Sequence, residues 1–230
     1  AGSLVLGPDD RRYVEHVYEA GVARMDAAVG AVLEAIDRSV ARSDVLVVLT
    51  SDHGEELFEH GGLNHGRTLH RELLHVPLIV RFPDGAPAGR QTGPASVLDI
   101  VPTVLELAGI PRPAGLPGVS LAQALAAERT RVACLHQDVL SVEHGAWKLI
   151  GAAPLPGDVQ PPARLYDLAA DRAELHDLAH GQPEQLDELR RRLGEFLDRW
   201  RPLVDEPTLA PASDAELQEQ LRQLGYVGPR

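Results

Sequence analysis

An adjacent carboxylate and imidazole, Asp52-His53, follow an apolar run and precede a glycine, Gly54. In an open α/β sheet, ligands bind beyond the carboxyl ends of the strands, so this pair stands where a site is expected. Aspartate oxygens and histidine nitrogens both bind divalent cations. Two ligands alone would bind a cation weakly, so further ligands must come from elsewhere. The pair alone equally suits a structural role, in which Asp52 caps the next helix and His53 packs.

Other polar residues suggest less chemistry. Ser51 lies beside the pair, but no Gly-x-Ser-x-Gly elbow surrounds it, and we expect no hydrolase triad. Lys148 lies in a predicted strand, where we expect its stem to pack on the sheet. Asp167 and Asp171 flank a turn, and turn chemistry explains both without a metal.

The patterns around the pair predict the elements that position it. Apolar residues at helical spacing predict one amphipathic helix over about residues 9–41. The β-branched run 45–51 predicts a strand covered on both faces, as in a parallel sheet, and 76–82 predicts a second strand. Later patterns predict helices over 99–108, 121–127 and 186–200, strands over 132–135, 139–143, 147–150 and 164–168, and a capped tail helix over 213–224.

Charge and composition exclude several classes of protein. The 230 residues carry 22 basic and 34 acidic side chains, and the formal net charge of −12 excludes a protein that grips nucleic acid through a basic face. No apolar run approaches the roughly 18 residues that span a bilayer. The single cysteine, Cys134, excludes an internal disulfide and a zinc knuckle, and we expect it to be a small buried apolar residue.

The Thr-Ser-Asp-His-Gly-Glu-Glu string that begins at Thr50 opens a longer match to a known family. The ordered set of segments closely resembles the sulfatase family of the alkaline phosphatase superfamily: residues 50–61, 64–69, 74–80, 98–109, 117–121, 147–150, 165–171 and 224–227. The resemblance implies an α/β fold. Residues 1–138 would form the second half of a mainly parallel alkaline-phosphatase-like α/β sandwich, and residues 139–230 a small antiparallel sheet with a packed helix.

The resemblance also implies roles for individual residues. Asp52 and His53 match the third and fourth protein ligands of the active-site cation, which is usually calcium in the family, although manganese or zinc would also suit the histidine. His65 falls where many members place a lysine that contacts the transferred group. An imidazolium there could stabilise the same oxyanion or protonate a leaving oxygen. His60 and His70 are expected to be exposed loop histidines outside the site.

Two parts of the family's site have no match in this sequence. Sulfatases make a formylglycine nucleophile from a Cys/Ser-x-Pro-x-Arg segment, which is absent here, as is the paired-carboxylate segment that supplies the first two cation ligands. Because the chain opens with Ala1 rather than Met, we expect the carboxy-terminal part of a larger sulfatase. Such a part would act on a sulfated small molecule or glycan only together with the missing amino-terminal half.

Two alternatives stay open on the sequence alone. A phosphodiester or phosphonate hydrolase, or a phosphoglycerol transferase, of the same superfamily would use the same Asp-His framework. A non-catalytic module that binds an anion or a partner would keep the fold without the reaction.

Overall fold

Four α-helices and eight strands make up the part of the chain that the computed structural model describes, residues 6–41, 44–83, 89–135, 139–152 and 162–204. The helices are α1 (Pro8–Ser39), α2 (Arg71–Leu74), α3 (Ile100–Leu107), which follows a 3₁₀ turn at Val97–Asp99, and α4 (Pro183–Val204). The strands are β1 (Val47–Thr50), β2 (Glu56–Leu57), β3 (Leu63–Asn64), β4 (Leu78–Arg81), β5 (Arg131–Leu135), β6 (Val139–His144), β7 (Trp147–Ala152) and β8 (Arg164–Asp167).

Helix α1 confirms the long helix predicted from apolar spacing. Pro8 begins it, where a missing amide costs nothing, and Asp10 Oδ2 accepts the backbone N–H of Gly7 at 2.8 Å. Asp37, near the other end, forms an ion pair with Arg81 of β4 at 2.8 Å. The apolar stripe that predicted the helix is solvent-exposed, including Val17, Tyr18, Val22, Met25 and Val32.

Strands β1 and β4 occupy the two predicted positions but run antiparallel, with Val47 opposite Arg81 and Thr50 opposite Leu78. The expected parallel setting is therefore not found for this pair. A continuous apolar run reports that both faces of a strand tend to be covered, and it carries no information on strand direction. Among the described residues every strand pair is antiparallel, and β1 itself is only half-buried.

The start of α3 is fastened by one buried carboxylate. The Arg129 guanidinium donates to the two Asp99 oxygens at 2.7 and 2.8 Å, and the backbone N–H of Val119 donates to Asp99 Oδ1 at 2.8 Å. Gly118 has φ +85°, and a Cβ on it would lie 2.1 Å from the carbonyl oxygen of Leu98. Only glycine therefore allows this close approach.

Residues 121–127 do not form the predicted helix. The backbone N–H of Leu121 donates instead to Thr103 Oγ1 on α3, at 2.8 Å, and the N–H of Ala122 donates to Ser120 Oγ at 3.2 Å. These bonds hold the segment as turns against α3. Tertiary contacts thus override the helical preference of an alanine-rich stretch.

Strands β5 to β8 form a four-stranded antiparallel sheet in chain order, and α4 packs on one of its faces. This confirms the predicted small sheet with its helix, although the sheet already begins at Arg131. The division of the chain at residue 138 stays a prediction. The core between helix and sheet consists of Leu140, Val142, Leu149, Leu165, Leu189 and Leu193.

Two further expectations concern the carboxy-terminal half. Cys134 is exposed, and the expectation that it is buried was wrong. It lies on the edge strand β5, whereas α4 covers β6 and β7. The predicted tail helix over 213–224 lies outside the described residues.

None of the described helices combines the length and apolarity needed to cross a membrane.

Candidate functional site

The Asp52-His53 pair forms an exposed turn just beyond the end of β1. Asp52 Oδ1 accepts the backbone N–H of His53 at 3.0 Å, and this hydrogen bond, with the nearby imidazole, keeps the pKa of Asp52 below its usual value despite some desolvation. Asp52 Oδ2 lies 3.8 Å from His53 Nε2. Neither residue caps a helix or packs in the core. The alternative in which Asp52 caps the next helix and His53 packs therefore does not describe this turn.

The ring of His53 is oriented for a ligand role. Its Nδ1 lies 2.8 Å from the carbonyl oxygen of Gly54, an acceptor, so Nδ1 carries the proton and Nε2 presents a lone pair. A hydrogen bond from one ring nitrogen to a backbone carbonyl is the usual way in which a ligand histidine is fixed. The 3.8 Å between Nε2 and Asp52 Oδ2 fits two ligands of one cation with bonds of about 2.0–2.6 Å. The chemistry and geometry of this pair therefore fit a divalent cation.

Gly54 holds the turn against α2. Its N–H donates to the carbonyl oxygen of Leu73 at 2.8 Å, and a Cβ at position 54 would lie 1.9 Å from the carbonyl oxygen of Glu72. Any other residue would push the turn away from the helix. The glycine after the Asp-His pair is thus required by the approach of two backbones.

His65 joins the pair from the hairpin of β2 and β3. Its ring centroid lies 4.0 Å from that of His53, with 30° between the planes, so the structure brings together all three residues predicted for the site. Glu55 Oε1 lies 3.2 Å from His65 Nδ1 and favours a proton on that nitrogen. A carboxylate, two imidazoles and a supporting glutamate therefore meet at this turn.

His60 and His70 form a separate pair, and the expectation that they are exposed was wrong, since His70 is 2% exposed and His60 is partly buried. Their rings stack at 3.7 Å and 10°, and His60 Nδ1 lies 2.7 Å from Glu72 Oε1. His60 Nε2 lies 3.1 Å from the carbonyl oxygen of Glu174. Burial alone would lower the pKa of His60, but the bond to Glu72 and the Glu174 contacts outweigh it and raise the pKa.

A buried ionic network below these histidines was missed at the level of the sequence. Lys148, fully buried, donates from Nζ to Glu174 Oε1 at 2.8 Å, and His70 Nδ1 lies 2.9 Å from Glu174 Oε2. The backbone N–H of Arg71 donates to the same oxygen at 3.2 Å. Burial tends to raise the pKa of Glu174, but the bond from His70 and the charge of Lys148 prevail and lower it. The side chain of Lys148 is thus buried, as predicted, and its ammonium group forms an ion pair that the sequence did not indicate.

Donor atoms of Glu56, His60 and Glu72 lie within 4.8 Å of one another, as metal ligands do. Hydrogen bonds account for the arrangement, however. Glu56 Oε1 accepts the backbone N–H of Gly62 at 2.6 Å and that of His60 at 3.2 Å, and both ring nitrogens of His60 are engaged. We interpret this cluster as a set of hydrogen bonds that stabilises the hairpin of β2 and β3.

The remaining polar residues, Ser51, Asp167 and Asp171, have the local structural contacts that the sequence predicted. Ser51 Oγ donates to the carbonyl oxygen of His53 at 2.7 Å, which is no part of a triad. Asp167 Oδ1 accepts the N–H of Ala169 at 2.9 Å, and Asp171 Oδ2 accepts that of His176 at 2.7 Å. Both aspartates are thus occupied by turns.

Known proteins share both sequence and fold with this chain. Residues 8–110 match the family model described as Sulfatase. Arylsulfatase K of Homo sapiens is 32% identical over 204 residues, covering 79% of the chain and 36% of that protein. The choline-sulfatase of Rhizobium meliloti is 30% identical over 188 residues, covering 77% of the chain and 35% of the relative. The chain thus spans little more than a third of the length of these relatives.

Solved structures confirm the alkaline-phosphatase-like α/β fold. A structure described as a 2-O GAG sulfatase superimposes with a TM-score of 0.72 at 22% identity, covering 91% of the chain and 48% of that structure.

Proposed function

The chain belongs to the sulfatase family through residues 8–110, and from this premise we propose that it carries one wall of a sulfate-ester hydrolase site. In this proposal Asp52 and His53 bind a divalent cation, calcium by preference, with manganese or zinc as the other candidates. His65 contacts the sulfuryl group that is transferred. The observation that carries the proposal is the convergence of these three side chains on one turn.

Each residue has a task that its contacts support. Asp52 and His53 Nε2 would hold the cation, which when bound neutralises charge on a sulfate oxygen. The carbonyl of Gly54 fixes the tautomer of His53. Glu55 holds the Nδ1 side of His65 and directs the other ring nitrogen away from itself, and when the ring is an imidazolium that second nitrogen can donate its proton to an oxygen of the ester.

The nucleophile is the part of the reaction that this sequence does not explain. The family's formylglycine requires Cys or Ser in a Cys/Ser-x-Pro-x-Arg segment, and neither Cys134 nor any serine of the chain stands in one. The residues of this chain therefore account for binding of the cation and of the ester, and leave the attack on sulfur to another segment. We propose that a segment carrying the nucleophile and two further carboxylates, the family's amino-terminal half, completes the site, and that the 230 residues alone show no turnover.

Manganese provides a direct test of the cation site, since a paramagnetic ion broadens nearby proton resonances even when it binds weakly. We expect low Mn²⁺ to broaden the ring protons of His53 and His65, and Asp52→Asn to abolish the effect. Asp26→Asn, an exposed aspartate on α1, is the matched control and should change nothing. Broadening that does not depend on Asp52 would refute the assignment.

Turnover separates the competing reactions. The isolated chain should hydrolyse neither an aryl sulfate nor an aryl phosphodiester. Once a segment with the nucleophile is supplied in trans, preference for the sulfate supports the proposal, whereas preference for the phosphodiester favours a phosphoryl hydrolase. Robust hydrolysis of aryl sulfate by the 230 residues alone would show that the required nucleophile is within them.

A further inference from the structure

Two adjoining cavities lie beside the candidate site, and both are lined by Arg71 and His75. The larger, of about 730 Å³, reaches Asp52 and also contains Arg131. The smaller, of about 410 Å³, contains Arg172. A ligand held at Asp52 would therefore extend toward a group of positive side chains, although the chain as a whole has a net charge of −12.

The acidic side chains around these cavities already have partners. Glu72 bonds to His60, and Glu143 accepts from Arg131 at 2.5 Å and lies 3.7 Å from Lys148 Nζ. Glu59 Oε2 accepts a backbone N–H at 2.5 Å. None of them forms an ion pair with the nearby arginines other than Arg131.

Arg71 and Arg172 differ from the other arginines of this region. Arg129 is bound to Asp99 and Arg131 to Glu143. Within the described part of the chain, the guanidinium groups of Arg71 and Arg172 form no hydrogen bond or ion pair. Each therefore retains five donors for a ligand.

The two guanidinium groups are close enough to affect each other. Partial burial and then the charge of Arg172 lower the pKa of Arg71, although Glu143 and Glu174 act in the opposite direction. Burial, Arg71 and Arg172 likewise lower the pKa of His75. Like charges held together beside a cavity repel, and a bound anion would relieve that repulsion.

We propose that Arg71 and Arg172 form a subsite for a second anionic group, a carboxylate or a sulfate, on the substrate whose sulfate ester lies at Asp52. This inference rests on the proposed function and extends it to a substrate class: sulfated saccharides with at least two negative groups. Planar guanidinium groups suit either anion, since they donate two parallel hydrogen bonds to adjacent oxygens. The subsite selects its substrate by the second charge, away from the bond that is cleaved.

The test compares ligands that differ in the second charge. The probes are a monosulfated neutral monosaccharide, a disaccharide with one sulfate and one uronate carboxylate, and a disaccharide with two sulfates and no carboxylate. Affinity is measured by calorimetry on the chain and on Arg71→Gln and Arg172→Gln. We expect each substitution to weaken binding of at least one doubly charged probe roughly tenfold, and binding of the monosulfated probe less than twofold.

Controls separate a specific subsite from general electrostatics and from misfolding. Arg24→Gln removes an exposed charge on α1 and should leave all three affinities unchanged. Arg71→Lys keeps the charge but loses the planar fork, and should retain an intermediate affinity. Whichever doubly charged probe loses more affinity identifies the second group as carboxylate or sulfate. Equal losses in Arg71→Gln and Arg24→Gln, or equal losses for single and double charges, would overturn the subsite.

The cation test distinguishes this inference from the function on which it rests. If manganese broadening depends on Asp52 but no affinity depends on Arg71, the subsite is wrong and the cation site stands. If affinity for the second charge depends on Arg71 while broadening does not depend on Asp52, anion binding stands and the assignment of the hydrolase site fails.

Discussion

Replacing Glu174 by glutamine tests the buried network that ties the loop before α2 to the carboxy-terminal sheet. Glu174 is 2% exposed, and its two oxygens serve Lys148, His70 and the backbone of Arg71. The substitution keeps the size of the side chain and removes its charge. Lys148, which is fully buried, then loses its nearest counter-ion.

The expected loss in the free energy of unfolding follows from these contacts. Removing one partner of a buried ion pair costs about 3–5 kcal/mol, because the remaining charge is left uncompensated. Here Glu143 Oε1 stays 3.7 Å from Lys148 Nζ and moderates the loss, so we expect the lower end, about 3 kcal/mol. For a chain of this size that corresponds to a fall in Tm of roughly 6–12 °C.

Urea unfolding at pH 7, followed by tryptophan emission and circular dichroism, measures the effect. The double variant with Lys148→Met removes both charges and should recover at least half of the loss, since an apolar replacement of a buried pair is often neutral. The pKa of Glu174 is lowered by folding, so its contribution is present above the ordinary value of 4.5 and is lost as the pH falls through the folded value. A loss below about 1 kcal/mol, or no recovery in the double variant, would refute the reasoning.

Three further perturbations have definite expected outcomes. Gly54→Ala, which drives a Cβ into the Glu72 carbonyl, should lower the free energy of unfolding in urea by at least about 3 kcal/mol. The control Gly21→Ala, in open space on α1, should raise it by about 0.5–1 kcal/mol. Asp99→Asn should cost about 3 kcal/mol in the same assay, because it leaves a largely buried guanidinium without its charge partner. The pKa of His60 is raised by folding, so the stability difference between wild type and His60→Gln should be full below about pH 6.5 and decline as the pH rises through the folded value, measured by unfolding between pH 5.5 and 8.5.

Features that depend on residues close together in the chain could be predicted from the sequence. The helix now seen as Pro8–Ser39 followed from apolar spacing, and the three site residues from the order of a family motif. The hairpin of β2 and β3 then explains why His65, twelve positions after His53, stands against its ring. Local periodicity and ordered motifs thus predicted most of the elements and the whole candidate turn.

Features that depend on partners distant in the chain could not be predicted from the sequence. Lys148 meets Glu174 across 26 positions and His70 meets it across 104, and nothing near any of them indicates the contact. The direction of β1 relative to β4 and the loss of the helix over 121–127 have the same origin. In each case the deciding hydrogen bonds come from elsewhere in the fold.

The hydrogen bond from Val119 to Asp99 fixes the far end of the connector that leaves α3, and the helix itself holds the near end. Arg112, inside the connector, also donates to the carbonyl oxygens of Leu116 and Gly118, so the part that can lengthen at little entropic cost, about 0.6 kcal/mol for each doubling, is the exposed turn at Ala114 and Gly115. Evolution and protein engineering therefore have a tolerant insertion point here, where a tag or an added loop leaves the neighbouring anchor undisturbed.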